Sequence, residues 1–215
     1  MQNDEQSAVG AASSSSDPVP LPARKRPRPG ERRVQILQAL AAMLEQPGAE
    51  RVTTAALAAR LEVSEAALYR HFASKAQMFE GLIDFIEQSV FTLVNQIVER
   101  EAPPQEQAAR IVAMLVQFAE KNPGMTRVMV GDALVFENER LQSRMNQFFD
   151  KIEATLRQSL REGAAGEGST TPSVDAQVRA SALTAFVAGR LQRFARSGFR
   201  RMPSEYLDAA VSLML

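Results

Sequence analysis

The feature that most constrains this chain is a set of helix-start signals crowded between Thr53 and Gln77. Thr53 or Thr54 precedes the apolar positions Leu57, Ala58 and Leu61; Ser64 precedes the run Glu65 to Phe72; Ser74 followed by Gln77 makes a capping box. Each hydroxyl at such a position accepts from an orphan N–H in the first turn of the helix that follows. Starts this close together leave room for two short helices and the beginning of a third. Two short helices joined by a tight turn, the second opening with small residues, form the pattern of a helix-turn-helix, whose second helix lies in the DNA major groove.

The flanks extend the helical pattern. Upstream, Val34, Leu37, Leu40, Ala41 and Leu44 recur at helical spacing from Glu31 onward, and Pro47 with Gly48 closes that segment. Downstream, Phe79, Leu82, Ile83, Phe85, Ile86, Val90, Phe91, Val94 and Ile97 predict a long helix ended by Pro103 and Pro104. Ile111 to Phe118 follow, stopped at Asn122, Pro123 and Gly124; then a short segment from Met125 to Leu134. A long amphipathic helix carries Phe136, Leu141, Met145, Phe148, Ile152, Leu156 and Leu160, and the Gly- and Ser-rich stretch 163–172 reads as a mobile loop. Val174, Val178, Leu183, Phe186, Val187, Leu191 and Phe194 mark another long helix, and a last one follows Pro203. No alternation of period two and no internal repeat is present. The predicted fold is all-α, with a three-helix helix-turn-helix head at 31–75 on a larger helical body at 76–215.

Residues 1–30 differ in kind. They hold the run Ser13 to Ser16, five prolines, little apolar mass and the cluster Arg24, Lys25, Arg26, Arg28. Such a segment cannot offset its ordering entropy by burial, so it reads as a disordered arm, either a solvated linker or a basic strand lying on DNA phosphates. Over the whole chain 25 basic and 25 acidic side chains cancel. Any nucleic-acid surface must therefore come from local arrangement rather than net charge. The absence of Cys excludes disulfides and thiolate metal sites. No stretch approaches the roughly 18 apolar residues of a spanning helix. The expected location is cytoplasmic and nucleoid-associated, without membrane contact.

Within the head, Ala66 and Ala67 keep the first turn of the second helix slim enough to approach base edges and to touch a thymine methyl. Thr53, Thr54 and Ser64 offer hydroxyls to phosphates beside helix N-termini, with Glu65 in the same first turn. Tyr69, Arg70, His71 and Lys75 supply the remaining donors. Leu68 and Phe72, four apart on one face, are core. Tyr69 and His71 also fit ordinary exposed positions. The single His has no second His and no Cys to share a metal. No nucleophile–base pair is visible, and the glycines between 163 and 168 lack the Lys and Ser/Thr of a phosphate-binding loop. The expectation is a protein with no metal, no cofactor and no catalytic activity.

The run Val52-Thr53-Thr54-Ala55-Ala56-Leu57-Ala58, then Val63-Ser64-Glu65-Ala66-Ala67-Leu68-Tyr69-Arg70-His71-Phe72, then Ser74-Lys75, resembles the head of the tetracycline-repressor family. The resemblance implies a homodimer joined through its last two long helices, whose small residues Ala182, Ala185, Ala188 and Gly189 permit close approach. One position departs: many members carry Gly at the turn where this chain has Glu62, and a left-handed residue there would cost Glu roughly 1 to 2 kcal/mol.

The body resembles the nucleoid-occlusion branch of that family. The segments Met78-Phe79, Leu82 to Glu87, Glu120 to Arg127, Arg140-Leu141-Gln142 and Asn146-Gln147 carry the likeness, which covers nearly everything after residue 31. It implies binding to near-palindromic double-stranded DNA, with the number of dimers per site open. It also implies that the DNA-bound form takes the C-terminal tail of the tubulin-like division protein FtsZ between the fourth and fifth helices, at Phe85, Met114, Gln117, Lys121 and Asn122. Leu93 stands where that branch has a basic residue, and Gln117 where it has Gly. The alternative is a ligand-responsive repressor of the same fold, whose body encloses a small apolar molecule.

Overall fold

A computed structural model describes residues 30–46, 51–166 and 168–215, and every regular element in them is helical. The order is α1 (Glu31–Leu44), α2 (Thr54–Arg60), α3 (Glu65–Tyr69), α4 (Lys75–Val98), α5 (Pro104–Lys121) and α6 (Pro123–Met129). A 3-10 turn (Asp132–Leu134) precedes α7 (Glu139–Gly166), α8 (Pro172–Arg196) and α9 (Leu207–Ser212). Of the expected arm at 1–30, all but Gly30, which caps α1, lies outside the described residues, as does the Pro47-Gly48 stop. Among those described, no helix is long and apolar enough to cross a membrane.

The three caps form where their residue types require. Thr53 accepts from the Ala56 N–H at 3.1 Å, Ser64 from Ala67 at 3.2 Å and Ser74 from Gln77 at 3.2 Å. The capping box differs in one partner: the Gln77 carboxamide accepts from the Ala73 N–H at 2.8 Å, one residue before the cap. Glu62 has φ 53°, so the turn is left-handed and a non-glycine residue bears its strain.

Buried side chains run continuously from head to body. Phe72, Phe79 and Phe148 are 0–1% exposed, and each contributes about 1.5–3 kcal/mol by leaving water. In α1 the core face is Ile36, Leu40, Ala41 and Leu44, while Val34, expected inside, is 53% exposed. The other apolar stripe of this helix is the one that α4 and α6 cover.

The head is joined to the body closely rather than by a linker. α1 packs on α4 and α6, and a Cβ at Gly124 would lie 2.0 Å from the Ala41 carbonyl oxygen. Only glycine allows that approach. Pro123 and Gly124 accordingly open α6 instead of marking a loop, with Pro in the first turn, where its missing N–H is harmless. Thr126 secures the bend by donating to the Ala119 carbonyl at 2.9 Å.

Two further boundaries differ from expectation. Phe136 precedes α7 and is 66% exposed; the helix starts beyond Asn138, whose side chain accepts from the Arg140 N–H at 3.1 Å. At the other end α7 continues through Gly163 to Gly166, so the expected loop is shorter by those residues. Gly163 sits where a Cβ would come within 3.0 Å of Pro104, and packing against the start of α5 holds the helix there.

α7 and α8 form the most extensive helix pair, and α7 is also bound to α4 by charge. Arg144 donates to Asp84 at 2.5 Å and to Glu87 at 2.6 Å, and Arg140 pairs with Glu80. Burial alone would lower the Arg144 pKa, but the hydrogen bonds and charges of Glu87 and Asp84 outweigh it and raise it.

Candidate nucleic-acid interface and partner face

The two short helices of the head meet through a hydrogen bond that joins their first turns: the Thr54 hydroxyl donates to Glu65 Oε2 at 2.6 Å. Glu65 is thereby held in place on the first turn of α3, still exposed and still anionic. Thr53 and Ser64 use their oxygens as caps, and each hydroxyl keeps its hydrogen to donate outward. Ala66 is exposed and Ala67 half-buried, so the first turn of α3 presents no bulk. Tyr69 is 45% exposed, and Arg70 and His71 are exposed beside it. Leu68 and Phe72 are 1% exposed, as expected of core.

Arg33 contributes to this surface although nothing local marked it in the sequence. Its guanidinium lies 4.1 Å from the Phe72 ring and donates to the His71 carbonyl at 2.5 Å. It therefore holds the chain leaving α3 against α1. The contact spans 38 residues, so only the basic character of Arg33 beside an amphipathic stripe hinted at it.

Lys75 does not stand free. Its ammonium pairs with Glu137, in the segment before α7, and lies 5.7 Å from the Phe79 ring. The Glu137 side chain is only 9% exposed. The pair ties the first turn of α4 to the body, across 62 residues of sequence.

The five residues expected on the partner face lie on α4 and α5, which pack together, and on the bend after them. Phe85 is 47% exposed, whereas its neighbours Leu82, Ile83 and Ile86 are at most 1% exposed. Met114 is half-buried against the core, and Gln117 and Lys121 are exposed. Asn122 is partly committed elsewhere: its amide donates to the Phe118 carbonyl at 2.8 Å and closes α5. Leu93 is 39% exposed on α4.

α8 also carries an exposed apolar face. Val174 and Val178 are 59% and 62% exposed, and Ala182 and Ala185 follow at helical spacing. Nothing lies within 4 Å of a Cβ built at Gly189.

Residues 36–82 match the family model described as bacterial regulatory proteins, tetR family, and residues 106–215 match a tetracyclin repressor-like C-terminal domain of the SlmA-like type. The nucleoid occlusion factor SlmA of Aliivibrio fischeri is 53% identical over 189 residues, 87% of this chain and 96% of the relative. That of Photobacterium profundum is 53% identical over 178 residues, 82% of this chain and 90% of the relative. The fatty acid degradation regulator FadR of Bacillus halodurans superposes with a TM-score of 0.69 at 14% identity, covering 86% of this chain and 95% of that one, which shows the shared fold alone. The chain belongs to the SlmA nucleoid occlusion factors, within the tetR family of DNA-binding, non-enzymatic regulatory proteins.

Proposed function

We propose that this protein binds near-palindromic chromosomal sites as a homodimer and, once on DNA, binds the FtsZ C-terminal tail and blocks division-ring assembly over the nucleoid. Each head uses Ala66 and Ala67 to approach the bases, and Thr53, Thr54, Ser64, Glu65, Tyr69, Arg70, His71 and Lys75 to line the groove and backbone. Two heads of one dimer occupy half-sites about one helical turn, ~34 Å, apart. The dimer forms through α7 and α8, where Val174, Val178, Ala182 and Ala185 are left without cover in a single chain.

The observation that carries the partner reading is the exposure of Phe85 on a helix whose neighbouring large apolar residues are buried. An aromatic anchor on α4 and Met114 on the adjoining α5, with the Lys121 ammonium free of ion pairs among the described residues, suit an extended peptide that carries both apolar and acidic side chains.

The test is binding of a fluorescent FtsZ tail peptide with and without cognate DNA. Saturable binding that strengthens with DNA is expected, weakened roughly tenfold by Lys121→Glu with operator affinity unchanged. Absence of binding in both conditions would leave the DNA-binding head in place and favour a ligand-responsive repressor.

A further inference from the structure

The chain closes with an arginine-rich corner that the DNA-binding head and the α4–α5 face do not use. Arg190, Arg193, Arg196, Arg200 and Arg201 lie at the end of α8 and in the loop after it. On α5 and α7 three arginines are paired: Arg110 with Glu106, Arg140 with Glu80, Arg144 with Asp84 and Glu87. Here Arg193, Arg196 and Arg201 have no side-chain hydrogen bond or ion pair among the described residues. Arg127, on α6, packs 5.2 Å from the Phe199 ring of this loop.

The loop that frames this corner is built and strained. Arg190 donates to the Pro203 carbonyl at 3.1 Å and to that of Glu205, and stacks 4.6 Å from the Phe186 ring. The Ser197 hydroxyl accepts from the N–H groups of Arg200 at 3.0 Å and Arg201 at 2.9 Å. The Ser204 N–H donates to Glu120 at 2.9 Å, fixing the loop to α5. Among the described residues three non-glycines have positive φ, and two, Phe199 at 63° and Tyr206 at 53°, are in this loop. Such backbone is strained for a side-chain-bearing residue and concentrates at binding sites. The strain at Tyr206 holds an aromatic ring 79% exposed, with Met202 47% exposed nearby. Both line an open cleft of ≈240 Å³ together with Arg193 and Arg201.

We infer that this corner is a second protein-docking site, which takes an acidic peptide segment carrying apolar side chains. Arginines meet carboxylates through paired N–H donors, while Met202 and Tyr206 receive the apolar side chains. Arg, Tyr and Met are the residue types enriched in protein interfaces. The exposed Met202 and Tyr206 side chains favour a peptide with apolar side chains over a nucleic acid. The site is separate from the proposed FtsZ-tail surface and does not depend on it.

The experiment uses the full chain and a fluorescein-labelled peptide alternating Glu with Leu, its Gln-for-Glu counterpart, and a labelled duplex lacking the operator. Salt-sensitive, saturable binding of the Glu peptide alone is expected, reduced roughly tenfold or more by Arg201→Glu and by Tyr206→Ala and unchanged by Lys121→Glu. Circular dichroism and operator binding show that each variant is folded. Equal binding by wild type and Arg201→Glu, loss only in Lys121→Glu, or tighter capture of the duplex overturns the inference. So does a change of oligomeric mass in Arg201→Glu, because it would make the corner a contact between copies of this chain.

Discussion

The head and the body reach rigidity by different means. In the head, α2 and α3 have 7 and 5 residues, too few to persist as isolated helices. Local hydrogen bonds hold them: a cap at each start, the Thr54–Glu65 bond between them, and Arg33 across the end of α3. In the body, four long helices of 18 to 28 residues, α4, α5, α7 and α8, are held by extended apolar packing and by charge pairs between α4 and α7. The surfaces differ accordingly. In the head Thr53, Thr54, Ser64 and Glu65 are already oriented by bonds to their own neighbours, whereas Phe85 is exposed and Arg193, Arg196 and Arg201 have no side-chain bond among the described residues. A site built on local caps tolerates little change of shape, and one built on uncovered side chains tolerates little change of charge.

The largest expected effect tests the first half of that contrast. Ala67→Arg, in the slim turn of α3, should lower operator affinity roughly 100-fold or more by blocking close approach. Fluorescence anisotropy that shows unchanged affinity would remove α3 from the groove. Next, Gly124→Ala at the joint of α1 and α6 should destabilise the fold by about 2–3 kcal/mol, read as a lower denaturation midpoint. A neutral result would mean that the head is not braced by the body as the 2.0 Å approach implies.

Lys75→Ala separates two roles. If the lysine leaves Glu137 for a phosphate, binding to all sequences should weaken alike and the salt slope should flatten by about one. If it remains on Glu137, stability should fall while the slope stays as it was. The smallest effect belongs to Glu62→Gly, which should raise stability by about 1 kcal/mol by relieving the left-handed turn. Unchanged thermal unfolding would show that the contacts of the Glu62 side chain offset its strain.

The same contrast explains what could be read from the chain alone. Caps act on residues three positions away, so Thr53, Ser64 and Ser74 placed the starts of α2, α3 and α4 correctly. Periodicity says that a helix has an apolar side but not which of two stripes a neighbour covers, hence Val34 outside and Ile36 inside. Phe136 fitted the period of α7, but Asn138, a good N-cap type, marked the true start. The tie from Lys75 to Glu137 and the contact from Arg33 to His71 join residues far apart in the chain. No local spacing encodes such pairs. On the candidate partner face, the family resemblance pointed to the residues but not to the bond from Asn122 to the Phe118 carbonyl.

The Thr54–Glu65 bond has a consequence for motion as well as for shape. Because it joins the first turns of two helices that are each too short to stand alone, neither can fray without releasing the other. Their amide hydrogens should therefore exchange as one cooperative unit, with a single opening free energy. The surface proposed to read DNA is then available whole or not at all.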